Sequence, residues 1–439
     1  MQRAPNTAEC AHPTGQPPTL PQMTVPGRID PHADPTARAS GGWIARVSMT
    51  HVGIWVGMYG PIQVLLGLQA AAFTPDHKEA TLGLVTGAGA LVSVVATPIF
   101  GALSDRTTHR LGRRVPWVLV GALGGAGSLI LLAFAPHVAA MVLGWCLVQG
   151  FLHASLAGIL AAVPDQVPVD QRATVSGWLG VNQTLGVVLG TGVAASIGGV
   201  RTGYLACAVL LLACTVPYAL RSNDLRLTDR PAPIRWRAFV KSLWVSPREH
   251  PDFAWAWITR FLVMLSNGIG LLYLLYFLTD VVRREDPAAD LFVLTLLYAG
   301  CLIATAVAAG TWSDRCGRRK IFVVASGLVM AVAALVLALM PTWTGALIGS
   351  VLLGTGFGVY MAVDFALITQ VLPHATDRAK DLGVVTIAAS LPAVLAPVVA
   401  APIVSAFADK TMGYRVLYVV AGGIGLLGTV LVGRIRSVD

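Results

Sequence analysis

Two short stretches decide how this chain reads: GALSDRTTHRLGRR, from Gly101 to Arg114, and GTWSDRCGRRK, from Gly310 to Lys320. Each sets an Asp-Arg pair and a Gly-Arg-Arg triplet between two apolar runs. The first copy holds four more residues between its aspartate and its glycine than the second. Beyond the loop the register is kept, because Gly112 and Gly317 are as far apart as Pro168 and Pro373. Trp43-Ile44-Ala45-Arg46 is echoed by Trp257-Ile258-Thr259-Arg260, and Arg172 by Arg378. Chance matches would not stay in register; a duplicated unit would.

Outward from those loops, the chain resolves into apolar runs. A bilayer-spanning helix needs roughly 20 mostly apolar residues. Twelve runs are expected, centred on 45–73, 79–103, 116–136, 138–163, 174–198, 200–221, 252–280, 288–311, 321–340, 343–371, 382–406 and 413–434. Of 439 residues, 55% are hydrophobic and 12% charged, with a mean hydropathy of +0.70. That leaves too little polar surface to cover a water-soluble domain. The expected fold class is an all-α integral membrane protein: twelve transmembrane helices in two pseudo-symmetric six-helix bundles. Residues 1–42 read as a disordered cytoplasmic tail, 43–221 as the first bundle, 222–250 as a basic cytoplasmic linker and 251–439 as the second bundle. The tail has no short apolar stretch with a small-residue cleavage site, so it does not read as a signal peptide.

The net charge of +9 does not point to nucleic acid, because the basic residues sit in short clusters between apolar runs without interleaved aromatics. Lys and Arg gather in alternate loops. Lys78, Arg201, Arg283, Arg284, Lys410 and Arg415 fall on the other side. Positive-inside asymmetry then places both termini in the cytoplasm. Cys10, Cys146, Cys207, Cys214, Cys301 and Cys316 show no metal-ligand spacing and no disulfide framework. No phosphate-cradling G-x-x-x-x-G-K-[ST] loop and no nucleophile–base spacing is present, so no enzyme, cofactor or metal is expected.

SDRTTHRLGRR and SDRCGRRK resemble the signature of the major facilitator superfamily, roughly G-x-x-x-D-R-x-G-R-R with a second copy between spans 8 and 9. The longer first loop, followed by Pro116, and KDLGVVTIAASLP from Lys380 resemble the glycoside–pentoside–hexuronide cation symporters and sucrose-transporter-like carriers. The resemblance implies a monomeric secondary transporter in the plasma membrane, with a small solute and a coupling ion, H⁺ or Na⁺, as partners besides lipid. It implies sugar or glycoside symport by alternating access; proton-antiport efflux of drugs or metabolites is the alternative. It also implies that the loop motifs latch the cytoplasmic side. The motif residues are Gly101, Asp105, Arg106, Gly112, Arg113 and Arg114 in the first copy, and Gly310, Asp314, Arg315, Gly317, Arg318 and Arg319 in the second. Arg172 and Arg378 are the expected partners of the aspartates.

Ionisable groups at membrane depth are functional candidates by default. Asp364 in span 10 is the first, with Tyr360 one turn earlier on the same face. An acid kept from water can take and release a proton. Arg260 in span 7 is the buried cation that pairs with it on this reading, and Asn267 shares its face. His153 follows Gln149 by one turn and reads equally as a proton shuttle or a hydrogen-bonded core residue. Trp55, Tyr59 and Gln63 form one face of span 1, a surface suited to sugar rings. Asn182 and Gln183 in span 5 and Tyr273 and Tyr276 in span 7 extend the expected cavity, or serve in helix packing.

Overall fold

The computed structural model describes residues 35, 37–221, 224–227, 248–316, 319–370 and 378–435, without the side chains at 169, 173, 314, 365, 366, 368–370, 378–386 and 389. Nearly all of the expected tail, most of the linker and Pro373 lie outside the described residues.

Twelve long helices follow one another among the described residues: α1 Gly41–Phe73, α2 Lys78–Ser104, α3 Val115–Ala133, α4 Val138–Gln166, α5 Val169–Ser196, α6 Val200–Arg221, α7 Pro251–Asp280, α8 Pro287–Cys316, α9 Arg319–Leu339, α10 Trp343–Gln370, α11 Arg378–Ser405 and α12 Lys410–Leu431. Local chemistry sets several of their starts. The Ser40 side chain accepts from the Trp43 amide at 3.2 Å and caps α1. His137 caps α4 through the Ala140 amide, and Asp409 caps α12 through that of Thr411.

Among the described residues, ten helices are long and apolar enough to cross a bilayer. α5 is not among them because it carries Asp170, Gln171, Arg172, Asn182, Gln183 and Thr184. Of α11, the described stretch Ser390–Ser405 is apolar. Large apolar side chains such as Leu84, Leu123, Leu143, Val209 and Leu220 are exposed on the outside of the bundle, where lipid accepts them.

The duplication is visible in the packing. In the first half α1 packs on α5 and α6, α3 on α4 and α6, and α2 on α4. In the second half α7 packs on α11 and α12, α9 on α10 and α12, and α8 on α10. Each contact has its counterpart six helices on. The halves meet along α2 with α11 and α5 with α8, again a symmetric pair. Small residues allow the close approaches: a Cβ on Gly60 would lie 2.9 Å from the Gly190 carbonyl, and one on Gly354 would lie 2.4 Å from that of Tyr298.

Both helices that open a half are irregular at the same depth. α1 takes a π turn at Pro61–Leu65, two residues after Tyr59. α7 breaks at Tyr273, the residue that the Trp43/Trp257 alignment pairs with Tyr59. Irregular backbone at membrane depth is tolerated where it lines a cavity or is buried in protein.

Candidate functional site

The bundle has a near face, where α1 begins and α12 ends, and a far face. At the far face the halves are clasped. Tyr276 Oη donates to the Gly67 carbonyl at 2.8 Å and Tyr273 Oη to the Glu79 carbonyl at 3.0 Å. Lys78 pairs with Asp280 at 2.5 Å and Lys410 with Glu79 at 2.9 Å. The Glu79 side chain is only 3% exposed, so this acid is held by its partner rather than by solvent. The apolar seam behind the clasp packs Gly83 of α2 against Pro397 and Ala401 of α11, and Gly192 of α5 against Phe292 of α8.

Below the clasp lies a two-lobed cavity. The larger lobe, about 450 Å³, lies between α5, α8 and α10. Its wall is mainly apolar, with Tyr59, Gln63, Gln183, Thr184, Thr295, Tyr298 and Ser350 as the polar exceptions. A smaller lobe, about 260 Å³, lies between α1, α2 and α4 of the first half and α7 and α11 of the second, and carries Trp55, Trp145, Gln149 and His153. The lobes meet at Tyr59, Gln63 and Leu271, which line both. Towards the near face the wall opens, since a Cβ built on Gly177 or Gly180 would meet nothing within 4 Å.

Trp55, Tyr59, Gln63, Gln149 and His153 are thus brought together, with Gln183 across the divide. Trp55 donates to Nε2 of His51, a buried histidine that the reading of α1 passed over. Asn267 stands one residue behind the wall and accepts from Tyr298 Oη at 3.4 Å. Asn182 is buried, and its Nδ2 has no partner among the described residues. Tyr273 and Tyr276 stand in the far-face clasp rather than in the wall, because α7 breaks there and turns their rings towards α1 and α2.

Beside the larger lobe, Arg260 of α7 forms an ion pair with Asp364 Oδ2. Tyr360 Oη donates to Asp364 Oδ1 at 2.5 Å. The two charged side chains are 12% and 8% exposed. Tyr360 stacks on Phe357, which stacks on Tyr298, and the last two line the cavity. In the duplicated register Ser155 and Ile159 stand where the second half has Tyr360 and Asp364. Only the second half carries a carboxylate at this register position.

The near-face motif folds into a tighter knot than the sequence suggested. Asp105 pairs with Arg114 at 2.7 Å, and Arg114 also takes Ser104 Oγ at 2.5 Å. Asp165, at the end of α4, was not foreseen, yet it binds both guanidinium groups: Arg113 Nε at 2.9 Å and Arg114 Nε at 2.7 Å. Arg172, the expected partner of Asp105, donates to the carbonyls of Val167 and Pro164 instead, each at 3.0 Å. Arg106 donates to the Ala102 carbonyl at 3.3 Å. Gly112 has φ +104°, and a Cβ there would also lie 2.3 Å from Asp224, so glycine is required twice over.

In the second copy a Cβ on Gly310 would lie 3.9 Å from Ala362, Arg315 is exposed and Arg319 is half-buried. Gly317 and Arg318 lie outside the described residues, as do the side chains of Asp314 and Arg378.

Asp224, just past α6, completes the knot. Its Oδ2 accepts from the amides of Arg114 and Val115 at 2.5 and 2.9 Å and so caps α3. Burial pushes its carboxyl up from the ordinary value, against the pull of the Val115 and Arg114 N–H groups. The folded protein therefore holds this proton more tightly than the unfolded chain does. Its contribution to stability is present below the ordinary carboxylate range and falls as pH rises through the raised value. Asp224→Asn should keep both accepted bonds and flatten that slope, whereas Asp224→Ala should cost about 1 kcal/mol for the bonds lost. Melting temperatures of the three proteins from pH 4 to 8 check this; parallel curves for Asn and Asp would refute it.

The comparisons with known proteins agree with this architecture. The sequence profile of the Major Facilitator Superfamily matches residues 48–287 and 285–439. A general alpha-glucoside permease of Schizosaccharomyces pombe is 27% identical over 172 residues, 33% of this chain and only 31% of that protein's length. The multidrug resistance protein MdtG of Klebsiella pneumoniae is 23% identical over 364 residues, 79% of this chain and 82% of that protein. Among solved structures, the nucleoside transporter NupG superposes with TM-score 0.72 at 12% identity, covering 90% of this chain and 98% of that one. A bacterial homologue of the human lysosomal transporter Spinster gives 0.68 at 14%, covering 90% and 96%. With its family profile spanning both duplicated halves and its twelve helices packed two by six, the chain belongs to the major facilitator superfamily.

Proposed function

We propose that this chain is a proton-coupled secondary carrier of the plasma membrane, with both helix-bundle ends on the cytoplasmic side. It takes up a sugar-containing solute by alternating access. The observation that carries the reading is the Arg260–Asp364–Tyr360 cluster set beside the cavity. A carboxylate so placed can trade its arginine for a proton, and aromatic contact through Phe357 and Tyr298 links that exchange to what the cavity holds. The far-face clasp, which joins the two halves, is the latch that would open as they rock, while the near-face knot keeps the first half rigid. Two findings support the sugar cargo: the sequence resemblance around both SDR loops, and the match to the glucoside permease.

A second reading is proton-antiport export of an amphipathic compound. The apolar wall of the larger lobe and the nearly full-length match to MdtG favour it. Proteoliposomes separate the two. On the first reading, adding a glycoside outside alkalinises the medium. On the second, glycosides have no effect, and an imposed proton gradient drives a dye or drug out of its compartment.

A further inference from the structure

We infer that the cavity holds its solute in two parts, a hydroxylated ring in the small lobe and an apolar substituent in the large one, so that the substrate class is an amphipathic glycoside. This rests on the carrier reading above and goes beyond it by assigning each part of the solute to its own set of helices.

The small lobe carries polarity that nothing else uses. Gln149 Oε1 is buried and has no donor among the described residues. A buried acceptor left without a donor is costly, and a ligand hydroxyl that reaches it removes that cost. His153 binds the Gln149 carbonyl through Nδ1 at 2.8 Å, so Nδ1 carries the proton and Nε2 is left as an acceptor. Gln63 adds an amide from α1. Trp55 and Tyr59 stand with ring centroids 5.5 Å apart, tilted by 46°, and give aromatic faces of the kind sugar rings pack on. By contrast, Ser93 and Thr86 spend their hydroxyls on the Ala90 and Leu82 carbonyls, each at 2.7 Å. The free groups are therefore amide, imidazole and the indole N–H of Trp145, a set that reads adjacent hydroxyls.

The large lobe is the reverse. Its threonines are spent: Thr295 donates to the Leu291 carbonyl at 2.8 Å and Thr184 to that of Gly180 at 3.3 Å. What faces the space is mainly Leu294, Ile303, Phe357 and their apolar neighbours, with Gln183 and Ser350 as isolated polar groups. A bare sugar placed there would leave most of its hydroxyls unpaired. An aryl or alkyl group would not. Because Tyr59, Gln63 and Leu271 line both lobes, one molecule can span them.

The test uses the full chain in lipid nanodiscs, free of glycoside detergents, which are themselves candidate ligands. Binding is measured for para-nitrophenyl glucoside (both anomers), glucose and para-nitrophenol. The linked compound should bind at least about tenfold more tightly than either part. Gln149→Leu removes an acceptor that has no partner inside the fold, so the variant should melt like the parent. It should weaken the glucoside and glucose about tenfold and leave nitrophenol unchanged. Ala306→Phe, which fills the large lobe, should weaken the glucoside and nitrophenol and leave glucose unchanged.

The inference is overturned if the glucoside binds no better than nitrophenol, if Gln149→Leu weakens nitrophenol as much as the glucoside, or if none of the three binds. In that last case, proton-driven flux of some other solute would leave the carrier function standing. Absence of any proton-driven flux would remove that function as well.

Discussion

Asp364→Ala is expected to abolish proton-driven transport and to cost about 3–5 kcal/mol of stability, because it strands Arg260 in the bundle without a counter-charge. Arg260 is 12% exposed and its Nε already has no partner among the described residues, so no other carboxylate stands ready to replace the lost one. Arg260→Leu should do comparable harm by stranding the acid. The double variant Arg260→Leu/Asp364→Leu separates structure from function. With both charges gone, the burial penalty goes too, and melting temperature should return most of the way to the parent value. Transport should not return. Recovery of uptake in the double variant would mean that the pair only holds the fold together. Tyr360→Phe should have an intermediate effect, since it removes one bond to Asp364 Oδ1 and leaves the ion pair intact.

The second large effect is expected at Asp165→Ala. One carboxylate, 8% exposed, holds two guanidinium groups that are 6% and 4% exposed. Its removal leaves two cations facing each other at the near face, with Asp105 the remaining partner of Arg114. A loss of about 3–5 kcal/mol is expected. Asp105→Asn is the informative contrast. The Asp105 side chain is 56% exposed, so losing its pair should cost no more than about 1 kcal/mol, and its effect should fall on transport rate rather than on folding. Thermal melts with uptake at matched expression read both quantities. If Asp105→Asn unfolded the protein and Asp165→Ala did not, the assignment of the two acids would be reversed.

The helices were legible because lipid imposes a length and a composition. The run 200–221 appears as α6 with the same ends, and 79–103 as Lys78–Ser104. α8 runs on to Cys316, past the expected end at 311, because its last turn carries the polar SDRC sequence out of the apolar region. The Arg260–Asp364 pair was legible for a similar reason: charges inside apolar runs are rare enough to look for one another.

The acid that knits the near-face motif was hidden. Asp165 has Gln370 at the matching place in the second copy, so comparing the repeats drew attention away from it. Asp224 lies in a segment that reads as basic linker, and only folding brings it to the start of α3. Glu79 was hidden differently. Beside Lys78 at the start of a span it reads as a loop charge, yet it is buried against a helix more than three hundred residues away. The division of the cavity was likewise out of reach, since periodicity places Tyr59 and Gln63 on one face but does not say that this face separates two lobes.

The central claim is that the halves exchange a closed far face for a closed near face. Spin labels at Asp76 and Asp286, both exposed at the far face, and at Arg110 and Arg315, both exposed at the near face, report it directly by pulsed electron–electron distance measurement. In a variant whose Lys78 and Lys410 clasp is neutralised by Gln, the far-face distance should lengthen while the near-face distance shortens. Distances that stay fixed, or that lengthen together, would contradict the account.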